Sequence, residues 1–191
     1  MTLRVLQGSD GHWLEGARRL SSPNCDARPD LDDLCLIVIH GISLPAGEFG
    51  GGHVDALFCN RLDSSLHPSF PELCENPVSA HLLIARDGKV TQYVPFDRRA
   101  WHAGVSSWQG REKCNDFSIG IELEGTDHEP YTKIQYQVLA EVVRGLLEHY
   151  PGLGAGAIAG HCDVAPDRKT DPGPAFDWDR FRRSLPEASS P

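Results

Sequence analysis

The sequence contains no apolar run of the ~18–20 residues that a membrane-spanning helix needs, and it lacks a recognisable secretory signal. Its first residues, MTLRVLQGSDGHWLEG, have neither a continuous apolar segment nor a small-residue cleavage site. We therefore expect a cytoplasmic protein that does not insert into a membrane.

Positive charge is also scarce. The chain has 18 Lys and Arg residues against 27 Asp and Glu residues, a formal net charge of -9. Nucleic acids and anionic membranes bind basic faces, so neither is expected as a partner, and no feature of the sequence indicates an obligate protein partner. A small anionic ligand remains compatible with this balance, because a few local cations decide how such a ligand binds.

Several common site motifs are missing. No CxxC motif joins any of the six cysteines, so we expect free thiols in a reducing compartment. The glycine-rich segment SLPAGEFGGGH lacks the GxxxxGK pattern of a phosphate-binding loop and instead indicates the wall of a cleft. Because HExxH is absent as well, any metal site has to be assembled from residues that lie far apart in the chain.

Strand and helix patterns follow one another along the 191 residues. The β-branched run at 34–39 predicts a strand buried on both faces, and the alternation in SIGIELE (118–124) predicts a second central strand. Thr132 and Gln135 predict a capping box at the start of a long helix with an apolar stripe. The predicted helices are 54–62, 132–150 and 178–185, the last capped by Asp177, and the remaining strands are 80–85, 90–94 and 157–160.

This order of elements predicts an α/β fold, in which a central mixed β-sheet is flanked by helices. We expect a single domain over 1–191 with a catalytic core over about 34–185. Loops are expected at 1–33, 67–77 and 100–117, and the prolines of 158–174 argue against a helix there.

Two histidines end predicted strands, His40 after the first and His161 after the last. The loop that follows His161 carries carboxylates, and two imidazoles with one carboxylate and an open position form the pattern of a catalytic zinc site. Spacing alone leaves the third ligand open among Asp163, Asp167 and Asp171.

Other charged residues fit the chemistry of amide hydrolysis. Glu122 lies on the polar side of its predicted strand and is a candidate general base. Lys169 is a fixed positive charge suited to a developing oxyanion, and Arg168 offers a planar fork for a substrate carboxylate. Together with a metal that polarises a carbonyl, these residues meet the needs of amide hydrolysis.

Several polar and aromatic residues have a structural and a functional interpretation. Trp101 suits the wall of a sugar or peptide cleft or the core, and His102 suits a hydrogen bond to substrate or to the protein. For His81 a packed, hydrogen-bonded position is favoured, and Glu124 is expected to be solvated.

Four long segments resemble one known family. They are VIHGISLPAGEFGG, VSAHLLIARDG, QYVPFDRRAWHAGVSSWQGREKCNDFSIGIELEGTD and GHCDVAPDRKTDPGPAFDW, which together cover most of the chain from about 36 to 180. In these segments the sequence resembles the zinc-dependent N-acetylmuramoyl-L-alanine amidases, and in particular the cytoplasmic branch of that family.

The resemblance implies one Zn²⁺ per chain on His40, His161 and Asp171, with Glu122 and Lys169 catalytic. It also implies the reaction, hydrolysis of the amide between the lactyl group of 1,6-anhydro-N-acetylmuramic acid and the L-alanine of the stem peptide. The expected partner is therefore a small muropeptide, and the expected role is peptidoglycan recycling. The alternatives are an amidase for polymeric peptidoglycan and a non-catalytic peptidoglycan-binding module.

The chain departs from the family pattern at four positions. Gly41 stands where relatives have Asn, and Pro77 and Lys113 stand where Arg is expected. Lys113 is thus a candidate substrate contact of altered type. Ala80 replaces the Tyr of the phage branch, which fits Glu122 as the proton carrier.

Overall fold

The computed structural model describes residues 3–6 and 11–185. Residues 1, 2 and 7–10 of the predicted N-terminal loop, and 186–191 of the predicted domain, lie outside them. The strands are β1 Arg18–Arg19, β2 Cys25–Ala27, β3 Leu36–Ile42, β4 Leu82–Ile84, β5 Val90–Gln92, β6 Arg98–Ala100, β7 Ser107–Trp108, β8 Arg111–Glu112, β9 Ser118–Glu124 and β10 Ile158–Gly160. The α-helices are α1 His53–Phe58, α2 Phe70–Cys74, α3 Lys133–His149, α4 His161–Val164 and α5 Trp178–Arg183.

A six-stranded sheet runs through the molecule in the order β1-β5-β4-β9-β3-β10. The β4–β5 pair is antiparallel and the other neighbours are parallel. This confirms the predicted mixed sheet, the central positions of β3 and β9, and the hairpin. The register of β3 and β9 sets His40 directly opposite Glu122, so both lie on one face of the sheet.

The two faces of the sheet carry different cores. Ile37 and Ile39 of β3 join the cluster formed with the apolar stripe of α3, as Ile119, Ile121 and Leu123 of β9 do. Leu36 and Val38 pack on the opposite side with Phe117 and Val164. Because side chains alternate along a strand, His40 and Glu122 share this second face, and α3 covers the first.

The long helix begins as the sequence predicts. The Thr132 hydroxyl accepts from the Gln135 amide at 3.2 Å, and the Gln135 side chain accepts from the Thr132 amide at 3.0 Å. Asp177 caps α5 in the same way, accepting from the Arg180 amide at 2.8 Å. Within the predicted stripe, Ile134 differs from its neighbours, since it is 40% exposed.

Some local predictions are wrong. The segment 67–77 contains α2, in which Pro71 is tolerated because the first helical turn needs no donor at that position. The segment 158–174 likewise contains a helix, α4, which its prolines permit because its four residues end before Pro166. The predicted loops at 1–33 and 100–117 contain short strands, and α1 ends four residues earlier than predicted.

All six cysteines are free, as expected. None of the described helices is long and apolar enough to cross a bilayer.

Candidate metal centre and active site

Three side chains from separate parts of the chain converge at the C-terminal ends of β3 and β10. The Nδ1 atoms of His40 and His161 lie 3.0 Å apart. Asp171 Oδ2 lies 3.3 Å from the first and 3.2 Å from the second. Both imidazoles are buried and the carboxylate is half-buried. The arrangement therefore matches a group of donor atoms around one metal ion.

The far side of the His161 ring fixes which nitrogen faces the centre. His161 Nε2 lies 3.3 Å from the Ala103 carbonyl oxygen, which only accepts hydrogen bonds, so Nε2 carries the proton and Nδ1 presents a lone pair. The Asp171 carboxylate, also an acceptor, faces the same point. Converging acceptors repel one another unless a cation lies between them, so the residues present fit a metal.

Protonation also suits a metal. Burial lowers the pKa of His40 to about 4, so the imidazole is neutral at physiological pH, as a ligand must be. Burial alone would raise the pKa of the Asp171 carboxyl, but its contacts with the His161 and His40 rings lower it well below the ordinary value. At physiological pH the group therefore contains a neutral His40 ring and an Asp171 carboxylate.

Glu122 has the environment of a proton acceptor. The residue is 8% exposed, its Oε1 lies 4.0 Å from His40 Nδ1, and its Oε2 has no hydrogen-bond partner among the described residues. Burial raises its pKa well above the ordinary value, the negative charge of Asp171 raises it further, and Lys169 opposes both. A carboxylate with a raised pKa and a free oxygen is a suitable general base.

The other two aspartates of the loop do not join the group. Asp163 Oδ2 accepts from the Gly160 amide at 2.7 Å and so holds the start of α4. Asp167 is exposed. Of the three aspartates, Asp171 is the one that shares a cluster with the two histidines.

Comparison with known proteins identifies the family. The model of the N-acetylmuramoyl-L-alanine amidase family matches residues 32–174, most of the chain. The chain belongs to this family. The predicted enzyme class and the resemblance are thereby confirmed.

Individual relatives agree with that assignment. The chain is 64% identical over 170 residues to the 1,6-anhydro-N-acetylmuramyl-L-alanine amidase AmpD of Escherichia coli, covering 89% of this chain and 92% of that one. It superposes on a crystal structure of selenomethionine-labelled AmpD with a TM-score of 0.89 at 59% identity, covering 92% and 97% of the chains. A more distant match is the amidase AmiD of E. coli in complex with anhydro-N-acetylmuramic acid-L-Ala-D-gamma-Glu-L-Lys. Its TM-score is 0.59 at 28% identity, covering 83% of this chain and 60% of that one.

Two residues predicted to bind substrate have protein partners in this amidase. Both ring nitrogens of His102 are engaged, by His40 Nε2 at 2.9 Å and by Ser118 Oγ at 3.2 Å, so no ring N–H is left for a substrate. Arg168 Nη2 donates to the carbonyls of Ala103 at 2.7 Å and Val105 at 2.9 Å. Its fork thus holds the loop in place. Both bidentate edges of a guanidinium include Nη2, so neither edge is fully available to a substrate carboxylate.

The remaining predicted site residues are exposed or half-buried. Lys113 is exposed and lines, with Arg168, an open groove of about 570 Å³. Trp101 is half-buried, and hydrogen bonding from its side chain contributes to the lowered pKa of Asp26. Lys169 is exposed, yet near enough for its charge to lower the pKa values of Glu122 and His40. Their roles toward substrate stay predictions.

Two other residues of the sheet can now be assigned. His81 is buried, accepts from the Gly120 amide at 3.0 Å and has a lowered pKa of about 3 through burial, as the structural interpretation predicts. Glu124 was expected to be solvated, and this prediction is wrong, because the residue is only 6% exposed. Its oxygens accept from the amides of Gly50 and Arg86, which fastens the glycine-rich loop to β9. The sequence did contain a signal for this burial, because Glu124 lies on the same central strand as Glu122 and two residues after it.

Tyr131 is a residue that sequence patterns did not reveal. Its buried hydroxyl donates to the Pro172 carbonyl at 2.9 Å, next to Asp171. A Cβ atom at Gly41 would fall on this hydroxyl, and one at Gly125 would fall on the ring. The glycine at position 41 therefore makes room for Tyr131 beside the metal centre.

This contact predicts a compensating pair of substitutions. We expect Gly41→Ala to lower the melting temperature by several degrees, since overpacking typically costs ~1–3 kcal/mol and 1 kcal/mol shifts a domain of this size by about 2–4 °C. In a Tyr131→Phe background, which lacks the clashing oxygen, Gly41→Ala should cost less. Thermal unfolding of the four proteins measures this coupling, and additive effects would contradict the proposed contact.

Proposed function

We propose that this protein is a zinc-dependent amidase of peptidoglycan recycling in the cytoplasm. Its substrate would be a soluble muropeptide, cleaved between the lactyl group of 1,6-anhydro-N-acetylmuramic acid and L-alanine, by a single domain spanning residues 1–191. The observation that carries the proposal is the convergence of His40, His161 and Asp171 beside the Glu122 oxygen, which has no hydrogen-bond partner within 3–6 and 11–185. The 64% identity to a relative named for this reaction supports it.

The donor set favours zinc. Zinc prefers imidazole and carboxylate ligands in a tetrahedral arrangement, with Zn–N distances near 2.0–2.1 Å, which corresponds to donor atoms roughly 3.3 Å apart. The observed separations of 3.0, 3.2 and 3.3 Å agree with that value. A zinc ion bound by these three residues supplies polarisation of the scissile carbonyl and activation of a water molecule.

The protein's own residues would handle the proton and the charge. Glu122 would accept the proton of the attacking water at Oε2 as the new C–O bond forms, and return it to the nitrogen of L-alanine as the C–N bond breaks. The raised pKa of Glu122 makes both transfers feasible near neutral pH. Lys169 places positive charge near the carbonyl oxygen on which negative charge develops.

The groove beside the centre suits a charged peptide as part of the substrate. It presents Lys113 and Arg168 together with Glu112 and Asp167, and a stem peptide carries free carboxylates that the exposed Lys113 would attract. The AmiD relative was solved with an anhydro-muramyl tripeptide bound, which supports a ligand of this class. We therefore infer that the stem peptide lies toward loop 103–113, with Trp101 on the wall near the sugar.

The choice of substrate can be tested with two pure preparations. The enzyme loaded with zinc is given a soluble 1,6-anhydro-muropeptide or intact sacculi, and release of the free stem peptide is followed by chromatography. We expect clear turnover of the soluble compound and little release from sacculi. A preference for sacculi would favour an amidase of polymeric peptidoglycan, and binding of either without release would favour a binding module.

A further inference from the structure

A chain of hydrogen bonds leads from a backbone carbonyl to the candidate ligand His40. Ser118 Oγ lies 2.5 Å from the carbonyl oxygen of Cys114 and 3.2 Å from His102 Nε2. His102 Nδ1 in turn lies 2.9 Å from His40 Nε2. The chain thus links the start of β9 to the ring that faces the metal centre.

The direction of every bond in this chain follows from its far end. A carbonyl oxygen only accepts, so the Ser118 hydroxyl gives its single proton to Cys114. Ser118 Oγ must then accept from His102, which places the His102 proton on Nε2. The neutral His102 ring therefore has a lone pair on Nδ1 and accepts from His40 Nε2. His40 is left with its lone pair on Nδ1, the atom that faces His161 and Asp171.

The His102 ring is held firmly in this position. It lies against the bare backbone of Gly120, where an added Cβ would be 2.5 Å from the His102 Cγ. It meets the His40 ring edge-on, with centroids 5.0 Å apart and planes at 90°. The amides of His102 and Ala103 both donate to Asn115 Oδ1, at 3.2 and 2.8 Å. A ring held on three sides keeps its acceptor atom aimed at His40.

We propose that His102 is a positioning residue that sets the tautomer and orientation of His40 through a relay anchored on Ser118 and the Cys114 carbonyl. This inference rests on the proposed zinc site, because it assigns a role toward the metal to a residue that does not touch it. Partners of this kind fix a ligand ring and raise its basicity, and their loss typically weakens metal binding ~10–100-fold. Gly120 then contributes to the same relay, because its lack of a Cβ atom leaves room for the His102 ring.

Two substitutions of similar shape at His102 separate the effect of its hydrogen bond to His40 from the effect of its packing. His102→Asn places an amide oxygen close to the position of Nδ1 and can accept from His40, whereas His102→Leu has a similar shape without an acceptor. Zinc affinity is measured by competition with a chelator of known affinity, and the melting temperature of each metal-free variant serves as the folding control. We expect the Leu variant to bind zinc ~10–100-fold more weakly than the wild type and the Asn variant to recover most of that loss.

Ser118→Ala gives a second readout. Without Ser118 Oγ as acceptor, the proton of His102 is no longer held on Nε2. Long-range ¹H–¹⁵N spectra of the histidine rings report which nitrogen carries the proton. They should show His102 entirely as Nε2–H in the zinc-loaded wild type and as a mixture of tautomers in the variant. Equal zinc affinity in wild type and Leu variant, or equal weakening by Asn and Leu, would overturn the relay while leaving the proposed function intact. A wild type that binds no zinc would overturn both.

Discussion

Glu122→Gln is expected to lower amide hydrolysis by ~10²–10⁴-fold, the usual contribution of a general base, while zinc remains bound. The substitution keeps the shape of the side chain and removes its ability to take a proton from water. It also replaces a buried carboxyl whose pKa is raised by burial with a neutral amide. We therefore expect the metal-free variant to be more stable than the wild type at neutral pH, by a few degrees in melting temperature.

The sign of the stability effect can be checked against pH. A carboxyl whose pKa is higher in the folded state than the ~4.3 of the unfolded chain gives stability below that value, which is lost as pH rises through the folded pKa. The stability gain of the Gln variant should thus be small in acid and grow as pH rises. Melting curves of metal-free protein across pH 4 to 8 measure it.

A matched control lies on the same strand. Glu124 is also buried, but both of its oxygens accept backbone N–H groups. Glu124→Gln replaces one acceptor by a donor and should lower the melting temperature.

Lys169→Ala should retain zinc, as Glu122→Gln should. It should reduce turnover by ~10²–10³-fold, because the ammonium group that stabilises the oxyanion is lost. Loss of zinc in either variant would show that ligand and catalyst have been confused.

Asp171→Ala is expected to remove stable zinc binding and with it all measurable amidase activity. The Asp171 oxygen lies within 3.3 Å of both Nδ1 atoms, and its loss leaves two neutral imidazoles to hold the ion. The decrease in zinc affinity should exceed the ~10–100-fold typical of residues outside the ligand set. Added zinc should not restore activity at concentrations that restore the chelated wild type.

The neighbouring aspartates are the controls for that loss. Asp167→Ala removes an exposed carboxylate from the same loop and should leave zinc binding close to that of the wild type. Asp163→Ala should also retain zinc, at a cost of about 0.5–2 kcal/mol in stability, because it removes the acceptor of the Gly160 amide. If Asp163→Ala or Asp167→Ala lost zinc and Asp171→Ala retained it, the ligand assignment would be wrong.

The parts of the molecule that were predictable from sequence depend on short-range patterns. Two buried strands with alternating or β-branched residues placed β3 and β9 in the sheet centre, and with them His40 and Glu122 on one face. The capping box and the apolar stripe located α3 in the same way. Such patterns repeat within a few residues, so they can be recognised in the sequence without knowledge of the tertiary contacts.

The contacts made by loops were not predictable, because they depend on how distant segments close on one another. The sequence left His102 open between a substrate contact and a structural one, and its contacts with Ser118 and Gly120 depend on how loop 100–117 folds. Arg168 likewise reaches back across more than sixty residues of sequence to the carbonyls of loop 103–105. Spacing also left Asp163, Asp167 and Asp171 equivalent, and the family resemblance, not the pattern of the loop, distinguished them.

The most direct test of the zinc amidase is a paired measurement of metal content and turnover on one preparation of the wild type. We expect one zinc per chain by elemental analysis, loss of muropeptide hydrolysis when a chelator removes it, and recovery in proportion to the zinc restored. Full hydrolysis by protein shown to be free of metal would contradict the account.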